Sequence, residues 1–125
     1  MHTEITADTP EAVVQRQLDA YNAKDLDGWL ATYAPDAKQY EFPATLLTEG
    51  REQIRARTAP RFLEPDLHAK LLTRSVMDDV VIDHEEITRN FPEGRGTIRL
   101  VCIYRVSGGL IRQASFVFGE KILEA

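Results

Sequence analysis

The residues best suited to chemistry in this sequence lie in the segment Val80–Phe91, which contains a histidine and a glutamate two positions apart. If the segment is a β-strand, its side chains alternate between two faces, so His84 and Glu86 share one face. The same face carries Val80 and Ile82, which makes it the predicted core face. Burying an imidazole or a carboxylate costs several kcal/mol unless the group is paired. We therefore expect this pair to serve chemistry, ligand binding or a local polar network.

The predicted pair suits proton transfer. His84 and Glu86 would lie about 7 Å apart at Cα, given a rise of roughly 3.3 Å per residue. A histidine titrates near neutral pH, and a nearby carboxylate raises its affinity for the proton. One residue would act as a general base and the other would orient it. The alternative is a hydrogen-bonded core histidine with the glutamate at the rim of a pocket.

Further candidates come from the aromatic strands. Glu41 would be a base opposite His84 if its strand turned it inward. Alternation instead favours Tyr40 and Phe42 inside, with Glu41 in solvent and the Tyr40 phenol available as a donor. Tyr104 lies on the predicted inward face of its own strand and is a second candidate hydrogen-bond donor.

The sequence predicts no metal and no cofactor. His84 and Glu86 supply only two ligands, whereas a catalytic zinc requires three. His68 shares a predicted outward face with Lys70 and Arg74, so we expect it at the surface or at an interface. The glycine pairs lie in predicted hairpin turns and form no phosphate-binding loop.

Composition narrows the class of protein. The chain has 125 residues and a net charge of −5, and its arginines are interleaved with acids, so no nucleic-acid partner is expected. The lone Cys102 excludes an internal disulfide. No apolar run approaches the roughly 20 residues of a membrane helix. The segment from Met1 to Asp8 lacks the features of a signal peptide. We expect one cytoplasmic domain spanning residues 1–125.

Helical patterns dominate the first half of the chain. Thr9, Pro10 and Glu11 favour a helix start. Asp25 is a predicted cap for a second helix, which Pro35 would end. A third helix is predicted from Gly50, with a kink at Pro60. The predicted apolar helix faces are Val14, Leu18 and Tyr21; Leu26, Trp29, Leu30 and Tyr33; and Ile54, Thr58 and Phe62.

Strand patterns dominate the second half. A short strand is predicted from Lys38 to Phe42, followed by a loop over residues 44–49. Four longer strands follow at 67–77, 80–91, 97–106 and 110–121, with residues 92–96 as the connection after the second of them. This order predicts an α+β fold in which a curved sheet packs against the helices and leaves a pocket between them.

Three segments resemble the nuclear transport factor 2-like superfamily, which includes ketosteroid isomerases and SnoaL-like polyketide cyclases. They are Tyr21–Ala37, Gly50–Ile54 and Val106–Ile111. The resemblance implies a cone-shaped α+β barrel, with a strongly curved, mostly antiparallel sheet wrapped around three N-terminal helices and a deep pocket. It also implies a homodimer built on the outer sheet face, where Val101 and Ile103 would lie.

Ketosteroid isomerases combine a carboxylate base with an oxyanion hole of a tyrosine and a protonated aspartate, an arrangement known from general enzymology. Aligned on the resemblance, the tyrosine position falls on Gln17 and the protonated acid on Cys102. The base position falls on Phe42 or on Glu41. The resemblance therefore implies a pocket without the usual isomerase mechanism.

Limonene epoxide hydrolases of the same fold place an arginine and two aspartates around an activated water. In this sequence the arginine and the first aspartate correspond to His84 and Glu86. The second aspartate corresponds to Phe116. The resemblance thus points to the same His84–Glu86 pair as a site position.

The resulting prediction is a small-molecule pocket protein, with a cofactor-independent isomerase or cyclase activity that uses the His84–Glu86 pair on an apolar, carbonyl-bearing substrate. The alternatives are a non-catalytic module that binds a hydrophobic ligand or forms a dimeric interaction domain, and epoxide-hydrolase-like water activation. The predicted substrate-binding residues are Tyr104, Tyr40, Phe42, Trp29, Phe62, Phe116, Phe118, Cys102 and Gln17.

Overall fold

The computed structural model describes residues 8–125. Residues 1–7, for which the sequence predicts no signal peptide, lie outside the described residues. Within residues 8–125, three α-helices, a short 3₁₀ helix and six strands follow one another. Their bounds are α1 Pro10–Asn22, α2 Leu26–Ala31, β1 Tyr33–Glu41, β2 Thr45–Glu49, α3 Arg51–Thr58, the 3₁₀ helix Ala59–Leu63, β3 His68–Met77, β4 Val80–Phe91, β5 Gly94–Ser107 and β6 Leu110–Leu123.

The six strands form one curled sheet in the order β2-β1-β6-β5-β4-β3. β1 and β6 run parallel, and the other neighbouring strands run antiparallel. The α+β prediction is confirmed, but the sheet is open at β2 and β3, so it does not close into the expected barrel. The helices lie against its concave side.

The helix starts follow from local sequence. The Thr9 side chain accepts a hydrogen bond from the Ala12 backbone N–H at 3.2 Å, and Pro10 opens α1. The Asp25 carboxylate accepts from the Gly28 N–H at 3.0 Å and caps α2. Each cap satisfies an N–H that has no partner inside the helix. Both predicted caps are confirmed.

The second helix is shorter than the apolar pattern predicts. α2 ends at Ala31, and Tyr33 begins β1 instead of completing the helix. The reason is tertiary: the Ile111 backbone N–H donates to the Thr32 carbonyl at 2.8 Å, and Tyr33 pairs with Ile111 of β6.

The strand β2 and the end of α3 lie where the sequence predicts a loop and a helix break. The predicted loop over residues 44–49 is the strand β2, which pairs with β1. α3 ends at Thr58, and the 3₁₀ helix that follows has Pro60 in its first turn, so the α-helix stops early next to this proline. Proline has no N–H for the helical ladder, and its ring clashes with the preceding turn.

The face assignment of β4 is the main difference from the sequence analysis. Val81 and Asp83 are fully buried, and Glu85 is only 4% exposed. The prediction that His84 and Glu86 face the core is therefore wrong, because alternation turns them to the outer side of the sheet.

The turn between β4 and β5 explains this reversal. Pro92 and Glu93 form the whole connection, because Phe91 already pairs with Gly94. That register places Asp83 opposite Cys102. The inward side of β5 thus fixes the inward side of β4, and a shift of one residue inverts every side chain. The sequence predicts a connection of five residues, 92–96, and a loop of that length does not define how β4 and β5 pair.

A β-bulge reverses faces within β3 as well. Leu71 pairs with Glu85, but Thr73 pairs with His84, so the register shifts by one residue between them. The shift turns Arg74 toward the core, although the sequence places it on the outward face. His68, before the bulge, is exposed as predicted. Bulges re-aim side chains in this way.

The outer face of the sheet carries the displaced candidates. His84 pairs with Val101 across the strands, and the Arg99 Nε lies 3.2 Å from a Glu86 carboxylate oxygen. An exposed pair of this kind contributes about 1 kcal/mol or less. The outer face is thus a solvated surface with a few apolar side chains, including Ile103.

Candidate functional site

A cavity of about 50 Å³ lies between the helices and the concave face of the sheet. α1, α2, β1, α3, the 3₁₀ helix and the strands β3 to β6 all contribute to it. Most of its wall is apolar or aromatic. The lining residues are Leu18, Tyr21, Trp29, Tyr33, Ala69, Ile87, Leu100, Cys102, Tyr104, Phe116 and Phe118, with Gln17, Gln39, Arg57, Thr58, Arg61 and Glu85 as the polar members.

Three lining residues reach solvent and define what we call the mouth: Arg57, Arg61 and Phe118. The other lining residues are buried. The mouth is cationic, because two of its three residues are arginines. The Arg57 guanidinium carbon lies 5.9 Å from the centre of the Phe116 ring, and Arg61 follows one turn later. The interior is therefore a cavity lined by buried residues, and its entrance is positively charged.

Glu85 is the ionisable acid of the interior. Burial, followed by the neighbouring charge of Asp83, raises its pKa to about 7, against the opposing effect of Arg74. The Cys102 thiol lies 3.9 Å from a Glu85 carboxylate oxygen and is placed to donate to it. A carboxyl group with this pKa is present in both protonation states near neutral pH, as general acid–base catalysis requires.

An ion pair underneath Glu85 holds the second acid. Asp83 is fully buried, and its carboxylate accepts two hydrogen bonds from Arg74, at 2.7 and 2.9 Å. The Arg74 Nη1 also donates to Gln15 of α1 at 2.8 Å. The hydrogen bonds with Asp83 raise the pKa of Arg74. This pair fixes β3, β4 and α1 to one another beside the cavity.

Three polar atoms in the cavity wall have no hydrogen-bond partner among the described residues: Gln17 Oε1, Tyr21 OH and Trp29 Nε1. Buried polar groups normally find partners, and each one left unpaired costs about 1–3 kcal/mol. A carbonyl accepts, an indole N–H donates, and a phenol does both. The wall is thus equipped to bind a polar group on a guest molecule.

The tyrosines of the cavity are neutral phenols. Burial raises the pKa of Tyr21 to about 12, and the nearby Arg61 acts to lower it. Burial also raises the pKa of Tyr33 and of Tyr104. The Tyr33 hydroxyl accepts from the Gln39 side chain at 3.4 Å. These groups can donate hydrogen bonds at any physiological pH.

The structure brings many of the predicted binding residues into the wall. Gln17, Trp29, Cys102, Tyr104, Phe116 and Phe118 all line the cavity. Phe62 is buried behind the wall, where its ring centre lies 5.3 Å from that of Tyr21 and 5.8 Å from that of Trp29. Their role in binding stays a prediction.

The predicted catalytic residues are not brought together. His84 and Glu86 lie on the outer face and do not line the cavity. Glu41 pairs with Phe116 at the strand end and is exposed. Alternation was expected to place Tyr40 and Phe42 inside, and this is wrong: the buried residue is Gln39, which leaves Tyr40 on the opposite side, and Phe42 is 54% exposed.

The sequence analysis missed Glu85, Asp83 and the mouth arginines. One signal could have found the two acids. The alternation of β5 is clear, and a two-residue turn at Pro92-Glu93 transfers its faces to β4. No comparable signal identifies Arg57 and Arg61, because their position depends on how α3 and the 3₁₀ helix pack over the sheet.

Within residues 8–125, no three His, Cys, Asp or Glu side chains converge as ligands for a metal ion. None of the helices in this part of the chain is long and apolar enough to cross a membrane. The ionisable side chains that line the cavity are Glu85, the Cys102 thiol, three tyrosines and two arginines.

Solved structures of similar fold come from several bacteria. An uncharacterized cystatin fold protein from Novosphingobium aromaticivorans superimposes with a TM-score of 0.79 and 23% identity, covering 87% of this chain and 97% of that one. A Mycobacterium tuberculosis LEH-like epoxide hydrolase gives 0.75 and 14%, covering 87% and 81%. An M. tuberculosis protein in complex with estradiol-17β-hemisuccinate gives 0.73 and 21%, covering 86% and 92%. These identities show a shared fold.

Comparison with curated proteins gives no match. The family model for the SnoaL-like domain matches residues 14–114, from α1 through most of the sheet and including Glu85. Because this match covers most of the chain, the protein belongs to the SnoaL-like domain family.

Proposed function

We propose that the cavity binds a small, largely apolar organic molecule and that Glu85 transfers a proton to or from it without a cofactor. The observation that carries the proposal is the Glu85 carboxyl group itself. It lines the cavity, is 4% exposed and has its pKa raised to about 7 by burial. Groups with such pKa values concentrate at sites of acid–base chemistry.

The wall supplies the complementary electrophilic groups. In its ionised form Glu85 would remove a proton next to a carbonyl, and negative charge would develop on the carbonyl oxygen. The unpartnered Tyr21 OH and Trp29 Nε1 are available to donate to that oxygen. Glu85 is near enough for its charge to raise the pKa of Tyr21, so the two groups act within one site. Donors directed at developing charge are often the largest single contribution to catalysis.

A second candidate function is activation of water for attack on an epoxide. Two acids and an arginine lie together on the inward side of β3 and β4, namely Asp83, Glu85 and Arg74. The structural similarity to an LEH-like epoxide hydrolase supports this candidate. Here Glu85 would take a proton from the water whose oxygen attacks an epoxide carbon. The epoxide C–O bond of that carbon would break, and the Tyr21 hydroxyl would give a proton to the released oxygen and recover it from Glu85. Diol formation from a small epoxide distinguishes this reaction from isomerisation.

Replacing Glu85 by glutamine tests the proton-transfer proposal. In D₂O the wild-type protein is expected to accelerate exchange of the α-protons of the small ketone acetone, followed by NMR. Glu85→Gln is expected to lower this rate about 100-fold or more, since general-base catalysis contributes about 10²–10⁴-fold. The wild-type rate should rise with pH through a midpoint near the Glu85 pKa of about 7, because the ionised form is the base.

Glu86→Gln is the matched control, because Glu86 directly follows Glu85 in the sequence and lies on the outer face of the sheet. It is expected to leave exchange unchanged. Equal rates in wild type and Glu85→Gln, for both the ketone and a small epoxide, would show that Glu85 transfers no proton. Binding of the ketone without any exchange would instead support a ligand-binding module.

We also propose a homodimer through the outer sheet face. Ile82 and Val117 are 38% and 41% exposed there, and Val101 and Ile103 lie between them on β5. Ile103→Asp is expected to raise the dimer Kd at least about tenfold by placing a charge in the contact. Sedimentation velocity measures this, with Leu63→Asp on the 3₁₀ helix as the control. A monomeric wild type contradicts the proposal.

A further inference from the structure

Two arginines at the mouth of the cavity have no carboxylate partner. Arg57 and Arg61 form no ion pair with any acid in the described part of the chain. The chain has 20 acidic residues for 15 basic ones, so carboxylates are not scarce. Half-buried arginines normally pair with them, as Arg89 does with Glu64.

An acid close to the mouth, Glu64, is already hydrogen-bonded to another arginine. Glu64 accepts two hydrogen bonds from Arg89, at 2.9 and 2.8 Å, and a third from the Asn90 backbone N–H at 2.8 Å. Arg61 is near enough to affect the pKa of Glu64, but it makes no hydrogen bond with its carboxylate. The mouth therefore keeps a net positive charge.

The positive charges at the mouth oppose one another. Burial lowers the pKa of Arg57, and the charges of Arg61 and Arg89 lower it further. The packing of α3 and the 3₁₀ helix thus holds two positive charges close together at partly buried positions. This arrangement is unfavourable without a counterion. A bound oxyanion would reverse this cost, because a guanidinium donates two parallel hydrogen bonds to a carboxylate.

The mouth and the interior acid are separate poles of one cavity. Within residues 8–125, Glu85 forms no ion pair with Arg57 or Arg61, and the arginine whose charge lowers its pKa is Arg74. Tyr33 lines the same cavity and is near enough to both groups for its pKa to respond to Arg57 and to Glu85. An anion at the mouth would therefore direct the rest of the molecule inward, toward Glu85.

The cavity volume limits the size of the apolar group attached to the anion. About 50 Å³ is one third of an engineered cavity of about 150 Å³ that binds benzene. The interior is therefore smaller than a benzene site and takes in only the end of a short chain, while the charged group remains at the mouth. The aromatic rings of Phe116 and Phe118 border this passage.

We propose that the ligand of this cavity is a small amphipathic carboxylate, whose anionic group binds Arg57 and Arg61 at the mouth while its apolar part enters toward Glu85. The inference rests on the proposed ligand-binding role of the cavity but not on proton transfer by Glu85. The expected ligands are organic monoanions with a short apolar body.

The test compares hexanoate with hexanamide, which has the same chain but no charge. Binding to the full chain is measured by NMR titration at about pH 6, where the carboxylate is ionised. Wild type is expected to bind hexanoate at least about tenfold more tightly. Arg57→Gln and Arg61→Gln are each expected to remove most of this preference, about tenfold, and to leave the affinity for hexanamide unchanged.

Two further variants make the result specific. Arg105→Gln, at an exposed position of β5, is expected to keep the full preference. Arg57→Lys is expected to keep part of it, because lysine retains the charge but lacks the planar fork. Thermal unfolding of each variant checks that it is folded.

Equal affinities for the two probes in wild type would overturn the proposal, as would a preference that persists in the Arg57→Gln/Arg61→Gln double variant. If neither probe binds, both this inference and the ligand-binding role of the cavity fail. If hexanoate binds with the expected preference while Glu85→Gln leaves proton exchange unaltered, the proton-transfer proposal fails and the anion site stands.

Discussion

Arg74→Met is expected to destabilise the protein by about 3–5 kcal/mol, because it leaves a buried carboxylate without a partner. Asp83 is fully buried, and both of its carboxylate oxygens bind the Arg74 guanidinium. Methionine fills much of the same space and removes only the charge and its hydrogen bonds. Urea denaturation at neutral pH measures the loss as a lower transition midpoint.

Adding Asp83→Asn to Arg74→Met should restore much of the lost stability, because no unpaired charge then remains in the core. Arg99→Met is the matched control, since its partner Glu86 is partly exposed and the pair contributes about 1 kcal/mol or less. Similar losses from Arg74→Met and Arg99→Met would show that the buried pair is no stronger than a surface pair.

The second large effect is a dependence of stability on pH that originates at Glu85. Its pKa is about 7 in the folded protein and about 4.3 in an unfolded chain. Between these values the folded state retains a proton that the unfolded state has released. The contribution of Glu85 is therefore fully present below about pH 4 and is lost as pH rises through 7. The loss amounts to about 4 kcal/mol, because the two pKa values differ by about 2.7 and each pKa unit corresponds to about 1.4 kcal/mol.

Glu85→Gln is expected to remove this dependence. Glutamine resembles the protonated carboxyl group, so the variant should be more stable than wild type by about 4 kcal/mol near pH 8 and about equal to it near pH 4. Denaturation midpoints across this range measure the difference. Parallel curves for wild type and Glu85→Gln would contradict the raised pKa. Glu86→Gln, on the outer face, is expected to follow the wild-type curve.

The buried charge of Glu85 and the unpaired polar atoms of the cavity wall both lower the stability of the folded protein. A neutral side chain at Glu85 would fold more readily above pH 7, and partners for Gln17, Tyr21 and Trp29 would remove unpaired polar atoms from the core. Polar groups kept in such an arrangement usually serve binding or chemistry. Gain of stability with loss of proton exchange in Glu85→Gln would be the expected signature of that trade-off.

Much of the fold was predictable because the signals are local. The caps at Thr9 and Asp25 and the break at Pro60 each depend on a few neighbouring residues. The alternation of β5 predicted Cys102 and Tyr104 on the inward side, where both are buried. β2 was missed because a short edge strand is defined by pairing with β1 and not by its own residue types.

The site was predictable as a region but not as a set of residues. The strand β4 does carry the acid that faces the cavity, yet both faces of that strand hold polar groups, so hydrophobic alternation alone does not choose between them. The two-residue turn at Pro92-Glu93 makes the choice, and it selects Glu85 over His84 and Glu86. Arg74 was misplaced for a related reason, since the bulge in β3 inverts its face.

The sequence by itself determined the α+β class, the helix starts, the strongly alternating strand β5 and a set of aromatic side chains around a pocket. These features are encoded within windows of a few residues. Only the tertiary structure decided which acid enters the cavity and which arginines stand at its mouth. Strand register and helix packing are set by contacts between distant segments, and a shift of one residue exchanges the inside of a strand for its outside.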